Sequence, residues 1–210
     1  MIIECCKLKK KMGDFEFYLE HIFFQEGCMY VIEGENGSGK TTFLNLLCNL
    51  LIQDEGIILY NNKKMEGNER IIKNNIGFLP NVICLPNIYD SEITAKIFGK
   101  QFSNFSKQKF LKYLRTFKID NGKRIGEMSD GMKKKFMIST ILAYSPDVLI
   151  FDEPFNDIDT ESQRFLVEEF RNVIKNNGTV IISTHIKNVL NSISYKIIKL
   201  SNGKLDLESN

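Results

Sequence analysis

The stretch Gly34-Glu35-Asn36-Gly37-Ser38-Gly39-Lys40-Thr41, followed by Thr42, has the spacing G-x-x-x-x-G-K-[ST]. It follows an apolar run and precedes a helical one, the setting in which such a loop cradles phosphate. Its glycines let backbone N–H groups wrap around an anion, and the N-terminus of the next helix adds partial positive charge. Lys40 is suited to reach the β- and γ-phosphates of a nucleotide, and the Thr41 hydroxyl is an oxygen ligand of the kind Mg²⁺ takes. A second group comes over a hundred residues later, where the apolar run 148–151 ends in Asp152, Glu153 and Pro154. Alone, acids ending a strand are ordinary loop-edge residues. Beside a phosphate loop they read as a carboxylate that holds Mg²⁺ through water, Asp152, and one that polarises an attacking water, Glu153. His185 follows a further apolar run, 179–183. Its place at a strand end distinguishes it from His21, which has no such context and reads as structural.

Positioning these groups requires a sheet. Short β-rich runs at 29–33, 57–60, 148–151 and 180–183 alternate with longer stretches of helical spacing or mixed polarity, the pattern of an α/β domain. The runs at 148 and 180 have almost no polar alternation, as expected of central parallel strands covered on both faces. Further strands are expected at 17–24 and 196–200. From Asn81 to about Tyr144 the character changes: apolar residues recur every three or four positions over 93–98, 105–117 and 128–143, which predicts a helical insert. Helical spacing is also found at 42–51, directly after the phosphate loop, and at 160–175. The lysine runs 9–11 and 133–135 read as solvated faces.

With 210 residues, 43% of them hydrophobic, the chain can build a sizeable core. Lys plus Arg number 28 against 26 Asp plus Glu, a net charge of +2 that gives no polyanion-binding surface, so nucleic acid is not an expected partner. Five cysteines, odd in number and without a C-x-x-C pair, argue against a disulfide framework and a zinc ribbon, and fit a reducing, cytoplasmic setting. The N-terminus lacks the features of a secretory signal, and no apolar run reaches the roughly 18 residues of a membrane span. Work at a membrane would go through a partner.

The order of phosphate loop, helical insert, Ser-x-Gly helix start, apolar-Asp-Glu and strand-His resembles the ATP-binding subunits of ABC transporters over nearly the whole chain. The resemblance implies an α/β fold: a P-loop NTPase sheet with an antiparallel β subdomain and a helical insert. It implies one domain, 1–210, with a RecA-like core at about 1–80 and 145–210 and a helical subdomain at about 81–144. The family's signature, Leu-Ser-Gly-Gly-Gln, corresponds to Met128-Ser129-Asp130-Gly131-Met132, in which Ser129 and Gly131 match and the others differ. By resemblance, Ser129 and the helix behind it face the γ-phosphate of ATP held by an opposite subunit, so that two chains sandwich two ATP molecules. A serine hydroxyl with free helix N–H groups is suited to such an anion. Asp130 would repel phosphate and is expected to point away. The family's γ-phosphate-sensing glutamine corresponds to Asn81, after Phe78-Leu79-Pro80; the shorter amide implies a longer water bridge or weaker coupling. The family's loop across the dimer axis resembles Phe155-Asn156-Asp157-Ile158-Asp159, and His185 resembles its switch histidine. Met12 and Phe15 are candidates to stack on adenine, with a core role equally open for Phe15.

The implied reaction is Mg²⁺-dependent hydrolysis of ATP to ADP and phosphate. The implied partners are an integral membrane permease and a second ATPase chain, in a homodimer or a heterodimer with a related ATPase, and the expected place is the cytoplasmic face of the cell membrane. The chain runs out soon after Ser201-Asn202-Gly203-Lys204, with no regulatory domain expected beyond, and this compact build looks similar to exporter ATPases. A soluble ABC-type ATPase acting as a mechanical or assembly factor, or an ATP-switch regulatory subunit with little turnover, are the alternatives. If the phosphate loop carries the chemistry, Lys40→Ala abolishes nucleotide affinity in a binding titration and phosphate release in a turnover assay; unchanged values in both would remove the basis of the whole reading.

Overall fold

In the computed structural model, which describes residues 1–206, the apolar runs become strands of one sheet. Strands β1 (Ile3–Met12), β2 (Phe15–Phe24), β3 (Met29–Glu33), β4 (Glu55–Tyr60), β5 (Ile76–Leu79), β6 (Val148–Asp152), β7 (Thr179–Ser183), β8 (Lys196–Ser201) and β9 (Lys204–Asp206) lie in the order β4-β1-β2-β9-β8-β3-β7-β6-β5. The half from β8 to β5 is parallel. Within it β6 and β7 are buried at every position, as their unbroken apolar composition requires. The half from β4 through β2 is antiparallel. Here Phe17, Leu19, Ile22 and Phe24 of β2 are buried while most of their neighbours are exposed, the signature of a sheet with one wet face. The fold is therefore the expected α/β one, a parallel sheet extended by antiparallel strands.

Helices α1 (Lys40–Leu47), α2 (Glu69–Asn74), α3 (Ser91–Gln101), α4 (Lys107–Thr116), α5 (Asp130–Ala143) and α6 (Thr160–Lys175) connect the strands. The expected helical stretches are all present, with ends moved by local chemistry. The run 42–51 starts earlier, at Lys40, and stops at Leu47, because Asn49 adopts φ 52 and turns the chain out of the helix. Leu50 is consequently left 62% exposed. The run 105–117 begins only at Lys107, after Ser106 caps it by accepting from the Lys109 N–H at 3.2 Å. The run 93–98 lengthens to Ser91–Gln101 behind the cap Asp90, which accepts from the Ile93 N–H at 2.9 Å. Residues β1, β5, β9 and α2 comprise had no clear periodic signal, β1 because lysines interrupt it.

The buried apolar residues form two clusters, one shared by the antiparallel strands with α1 and the other between the parallel strands and α4, α5 and α6. In the first, Phe43 of α1 stacks on Phe17 of β2 at 5.3 Å between ring centroids. In the second, Phe110 of α4 meets Phe136 of α5 edge-on at 5.4 Å, and Phe151 of β6 meets Phe170 of α6 at 5.7 Å. Each such buried ring stabilises the fold by about 1.5–3 kcal/mol, and together they fix α1, α5 and α6 against the ends of β3, β6 and β7.

Asp159 starts α6: its carboxylate accepts from the Ser162 N–H at 2.9 Å, the Ser162 hydroxyl at 2.8 Å and the Lys135 ammonium at 3.1 Å. These bonds, that from the Ser162 backbone first, hold the Asp159 carboxyl well below the usual carboxylate range. A carboxyl depressed in the folded state stabilises the fold above its unfolded pKa of about 3.9, and that contribution is lost as pH falls through the folded value. Asp159→Ala should therefore cost about 1 kcal/mol in denaturant unfolding at pH 7, with the gap to the parent chain narrowing below about pH 4.

Candidate functional site

Between the end of β3 and the start of α1, residues 34–39 form a tight loop. Gly39 takes φ 107, and a Cβ there would meet the Phe15 ring at 2.8 Å, so both conformation and space demand glycine. Lys40 is buried, and its ammonium donates to the carbonyls of Gly34 at 2.7 Å and Glu35 at 3.0 Å. The Ser38 hydroxyl is buried in the same loop with no hydrogen-bond partner among the described residues. A polar atom so placed costs stability unless a ligand or water satisfies it. The loop thus combines a buried cation, an unsatisfied hydroxyl and a helix N-terminus in one place.

The acids arrive from the sheet. Asp152 ends β6 beside Ser183 at the end of β7, and its carboxylate accepts from the Thr41 hydroxyl at 2.7 Å and the Ser183 hydroxyl at 2.5 Å. Glu153 then turns the chain with φ 48, a left-handed conformation that a side-chain-bearing residue adopts at a cost of about 1–3 kcal/mol. Its N–H donates to the Ser183 hydroxyl at 3.0 Å and the Ser183 carbonyl at 3.2 Å. Its own carboxylate reaches His185, with Oε1 3.3 Å from Nε2, and accepts from the His185 N–H at 3.3 Å. Ser183 is a residue that sequence alone did not single out. No signal in the sequence marks it, because its place opposite Asp152 is set by the register of β6 and β7.

A cleft of about 410 Å³ gathers Asn36, Gly37, Gly39, Lys40, Thr41 and Thr42 with Asn81, Asp152 and Glu153. Met12 and Phe15 line its apolar wall. Behind the same loop a second cleft of about 570 Å³ includes Gly34, Glu35, Ser38 and His185. It also holds Lys187, paired with Glu33 at 2.8 Å. Thr41 and Asp152 place two hard oxygen donors side by side next to Lys40, a set that fits Mg²⁺. The remaining sequence candidates line neither cleft. Ser129 caps α5, accepting from the Met132 N–H at 3.3 Å. The Asp130 side chain is exposed and meets Lys133 at 3.2 Å. A Cβ on Gly131 would lie 2.0 Å from the Asp157 carbonyl, so the start of α5 packs directly on the loop after Glu153. In that loop the Asn156 N–H donates to the Glu153 carbonyl at 3.4 Å, Asp157 takes φ 64, and Asp159 is committed to capping α6.

The family model for ABC transporters matches residues 21–156 of this chain, well over half of its length and inclusive of both the phosphate loop and Glu153. The chain belongs to the ABC transporter ATP-binding family. Nod factor export ATP-binding protein I of Burkholderia lata is 27% identical over 96% of this chain and 68% of its own length. The high-affinity zinc uptake system ATP-binding protein ZnuC of Bacillus subtilis is 28% identical over 82% of this chain and 79% of its own. Among solved structures, a dimeric ATP-binding cassette in a post-hydrolysis state bound to ADP and Pi superposes with a TM-score of 0.82 over 99% of this chain and 98% of that one. At 22% identity that likeness concerns the fold. An ABC ATP-binding subunit is an ATP hydrolase.

The expectation of solvated lysine faces is corrected in this ABC subunit at Lys134 above all, and also at Lys135 and Lys10, whose side chains are only 15% and 17% exposed. The lysine run 133–135 reads as a solvated face, yet the Lys134 side chain is only 3% exposed. The reason is the helical repeat: Lys134 shares a face of α5 with the buried Ile138 and Ile141, so the apolar stripe begins with it while Lys133 and Lys135 flank it. Its ammonium donates to the Glu153 carbonyl at 3.1 Å and lies 3.7 Å from the Asp157 carboxylate. Burial pushes its pKa down, opposed by the charges of Asp157, Glu153 and Asp152. The stem has the apolar character that burial needs, and the head secures the strained Glu153 turn. Lys134→Met keeps the stem and removes that donor. It should lower kcat by about tenfold to a hundredfold, the cost of misplacing a reacting group by about an ångström, while leaving nucleotide affinity close to the parent value. Equal turnover by the two proteins in a phosphate-release assay would refute a positioning role.

Proposed function

We propose that this ABC ATP-binding subunit hydrolyses MgATP at a site completed by a second chain, and passes the resulting closure and opening to a separate membrane permease. The observation that carries this is the joining of Thr41, Asp152, Glu153 and His185 beside the Lys40 loop. In this reading Lys40 exchanges its two loop carbonyls for the β- and γ-phosphates, and the N–H groups of 34–41 take the remaining phosphate charge. Thr41 and Asp152 would hold Mg²⁺, which when bound supplies positive charge against the phosphate oxygens. Glu153 polarises the attacking water, and His185, already within hydrogen-bonding reach of that carboxylate, contacts the γ-phosphate. Asn81, on the same cleft, senses the γ-phosphate through an amide one methylene shorter than the family's glutamine. Met12 and Phe15 offer the apolar wall for adenine. Both belong to the antiparallel strands, so the base would be gripped by the sheet extension and the phosphates by the parallel core.

The signature residues Ser129, Asp130 and Gly131, and the loop residues Asn156, Asp157 and Asp159, lie outside the clefts of their own chain. This supports a role across a dimer axis, where Ser129 and the N-terminus of α5 complete the anion site of the opposite chain. Nucleotide then favours the closed state because only that state gives it both sets of contacts. The division into a RecA-like core at about 1–80 and 145–210 and a helical subdomain at about 81–144 belongs to the same proposal. A groove of about 270 Å³ between these parts, with Leu50, Phe78, Phe98, Phe102 and Met137 in its lining, supports docking of a permease segment there. Val82 and Ile88, in the stretch after β5, are exposed apolar residues as well. No helix among the described residues is long and apolar enough to cross a membrane. A peripheral place on the cytoplasmic face, held by the permease, follows from this reading.

Export is the direction we propose, supported by the Nod factor export relative, which spans 96% of this chain. Uptake is the second reading, favoured by the zinc uptake relative; transport into or out of oriented vesicles carrying the permease distinguishes them. The shared site is tested separately. Glu153→Gln should abolish phosphate release by more than about a hundredfold and accumulate a dimer on adding MgATP, read by light scattering. A chain that stays monomeric with ATP bound would contradict the two-chain site, whereas full turnover would contradict the role of Glu153.

A further inference from the structure

The wet face of the antiparallel sheet carries a cluster that the nucleotide chemistry does not use. Cys6 of β1 pairs directly with His21 of β2, and Glu4 lies two residues along the same face of β1. Glu4 Oε1 is 3.0 Å from His21 Nε2 and 3.9 Å from Cys6 Sγ, and one ligand atom from each residue falls within 4.8 Å of the other two. Zinc bonds of about 2.0–2.3 Å set neighbouring ligand atoms about 3.3–3.8 Å apart around a tetrahedron. The three atoms are thus close to one face of that tetrahedron, and small side-chain rotations complete it. We propose that Glu4, Cys6 and His21 bind one borderline-soft divalent cation of the Zn²⁺ class, with the fourth position open to water.

Three features favour a cation over a plain Glu4–His21 ion pair. The donor set of thiolate, imidazole and carboxylate matches Zn²⁺ and its neighbours in the first transition row, and discriminates against Mg²⁺, which takes oxygen ligands in an octahedron. The ligands come from two strands paired in one register from Ile3–Phe24 to Met12–Phe15, with a break at Lys7, so the backbone positions of the ligands are set without the ion. Glu4 and His21 have side-chain exposures of 30% and 54%, which leaves an entry path from solvent. A cation there ties β1 to β2 near the far end of the hairpin whose turn end carries Met12 and Phe15. The site is separate from the nucleotide cleft in residues and in ligand chemistry, so it stands whatever becomes of the function proposed above.

The test is a Co²⁺ titration of chelator-treated, reduced protein in excess Mg²⁺, which keeps oxygen-donor positions filled. One equivalent of Co²⁺ should produce a thiolate-to-cobalt charge-transfer band that Zn²⁺ abolishes, and Zn²⁺ should raise the melting temperature. Cys6→Ser should eliminate the band. Removing an outer-shell partner of a metal site already weakens binding by about tenfold, so His21→Ala and Glu4→Gln should each weaken it by at least that much and lose the Zn²⁺-induced rise in melting temperature. Retained MgATP turnover in these variants verifies that they are folded. Cys28 and Cys84 are the accessible thiols that could bind cobalt adventitiously, and the Cys28→Ser/Cys84→Ser double variant should keep the band. No band in the parent protein, a band that survives Cys6→Ser, or one lost with Cys28 and Cys84 would each overturn the proposal.

Discussion

The hydrogen bond from Thr41 to Asp152 closes a gap of 111 positions in the chain, and the nucleotide-side architecture converges on it. Asp152 is a buried carboxylate, 2% exposed, and a charge in that position is tolerable only with strong partners. It has two, Thr41 from the first turn of α1 and Ser183 from the end of β7. Those partners come together because β6 and β7 are parallel and in register, Asp152 opposite Ser183, so their polar ends emerge at one edge. The phosphate loop is delivered to the same edge by β3, the next strand across. Burial of both faces of three short strands therefore assembles the polar site at their common end.

A second layer of contacts makes the Glu153 turn depend on α5 and on the start of α6. Lys134 holds the Glu153 carbonyl, Gly131 lets the start of α5 rest on the Asp157 carbonyl, and Lys135 bonds the carboxylate that caps α6. The helix whose cap is Ser129 thus packs on the turn that carries Glu153. These contacts join the N-terminus of α5 to the cleft that Glu153 lines. The departure from the family's signature pattern at Asp130 fits into this layer without strain, since its side chain faces solvent with Lys133, while Gly131, the retained glycine, has no room for a side chain.

The phosphate loop, the paired acids and the histidine were legible because their chemistry is carried by side-chain type at short, rigid spacing. The fully apolar strands β6 and β7 were legible for a related reason, since a run of such residues has no stable place outside a core. Helix ends were less so. Asn49, Ser106 and Asp90 decide where α1, α4 and α3 stop or start, and each acts through backbone conformation or a single capping bond. Strand β1, with lysines on alternate and adjacent positions, has an apolar count too low to stand out, and it is held by β2 and β4 on either side.

By itself the sequence determined that the chain carries a phosphate loop followed by acids and a histidine at strand ends, and hence its α/β class, because these are properties of local spacing and composition. Tertiary structure alone decided that Ser183 shares Asp152 with Thr41, that Lys134 turns inward to brace Glu153, and that His21 meets Cys6 and Glu4 across a strand pair. Each of those depends on strand register or helix phase between segments far apart in the chain. A single polar residue bears no mark of which distant neighbour the register will bring to it.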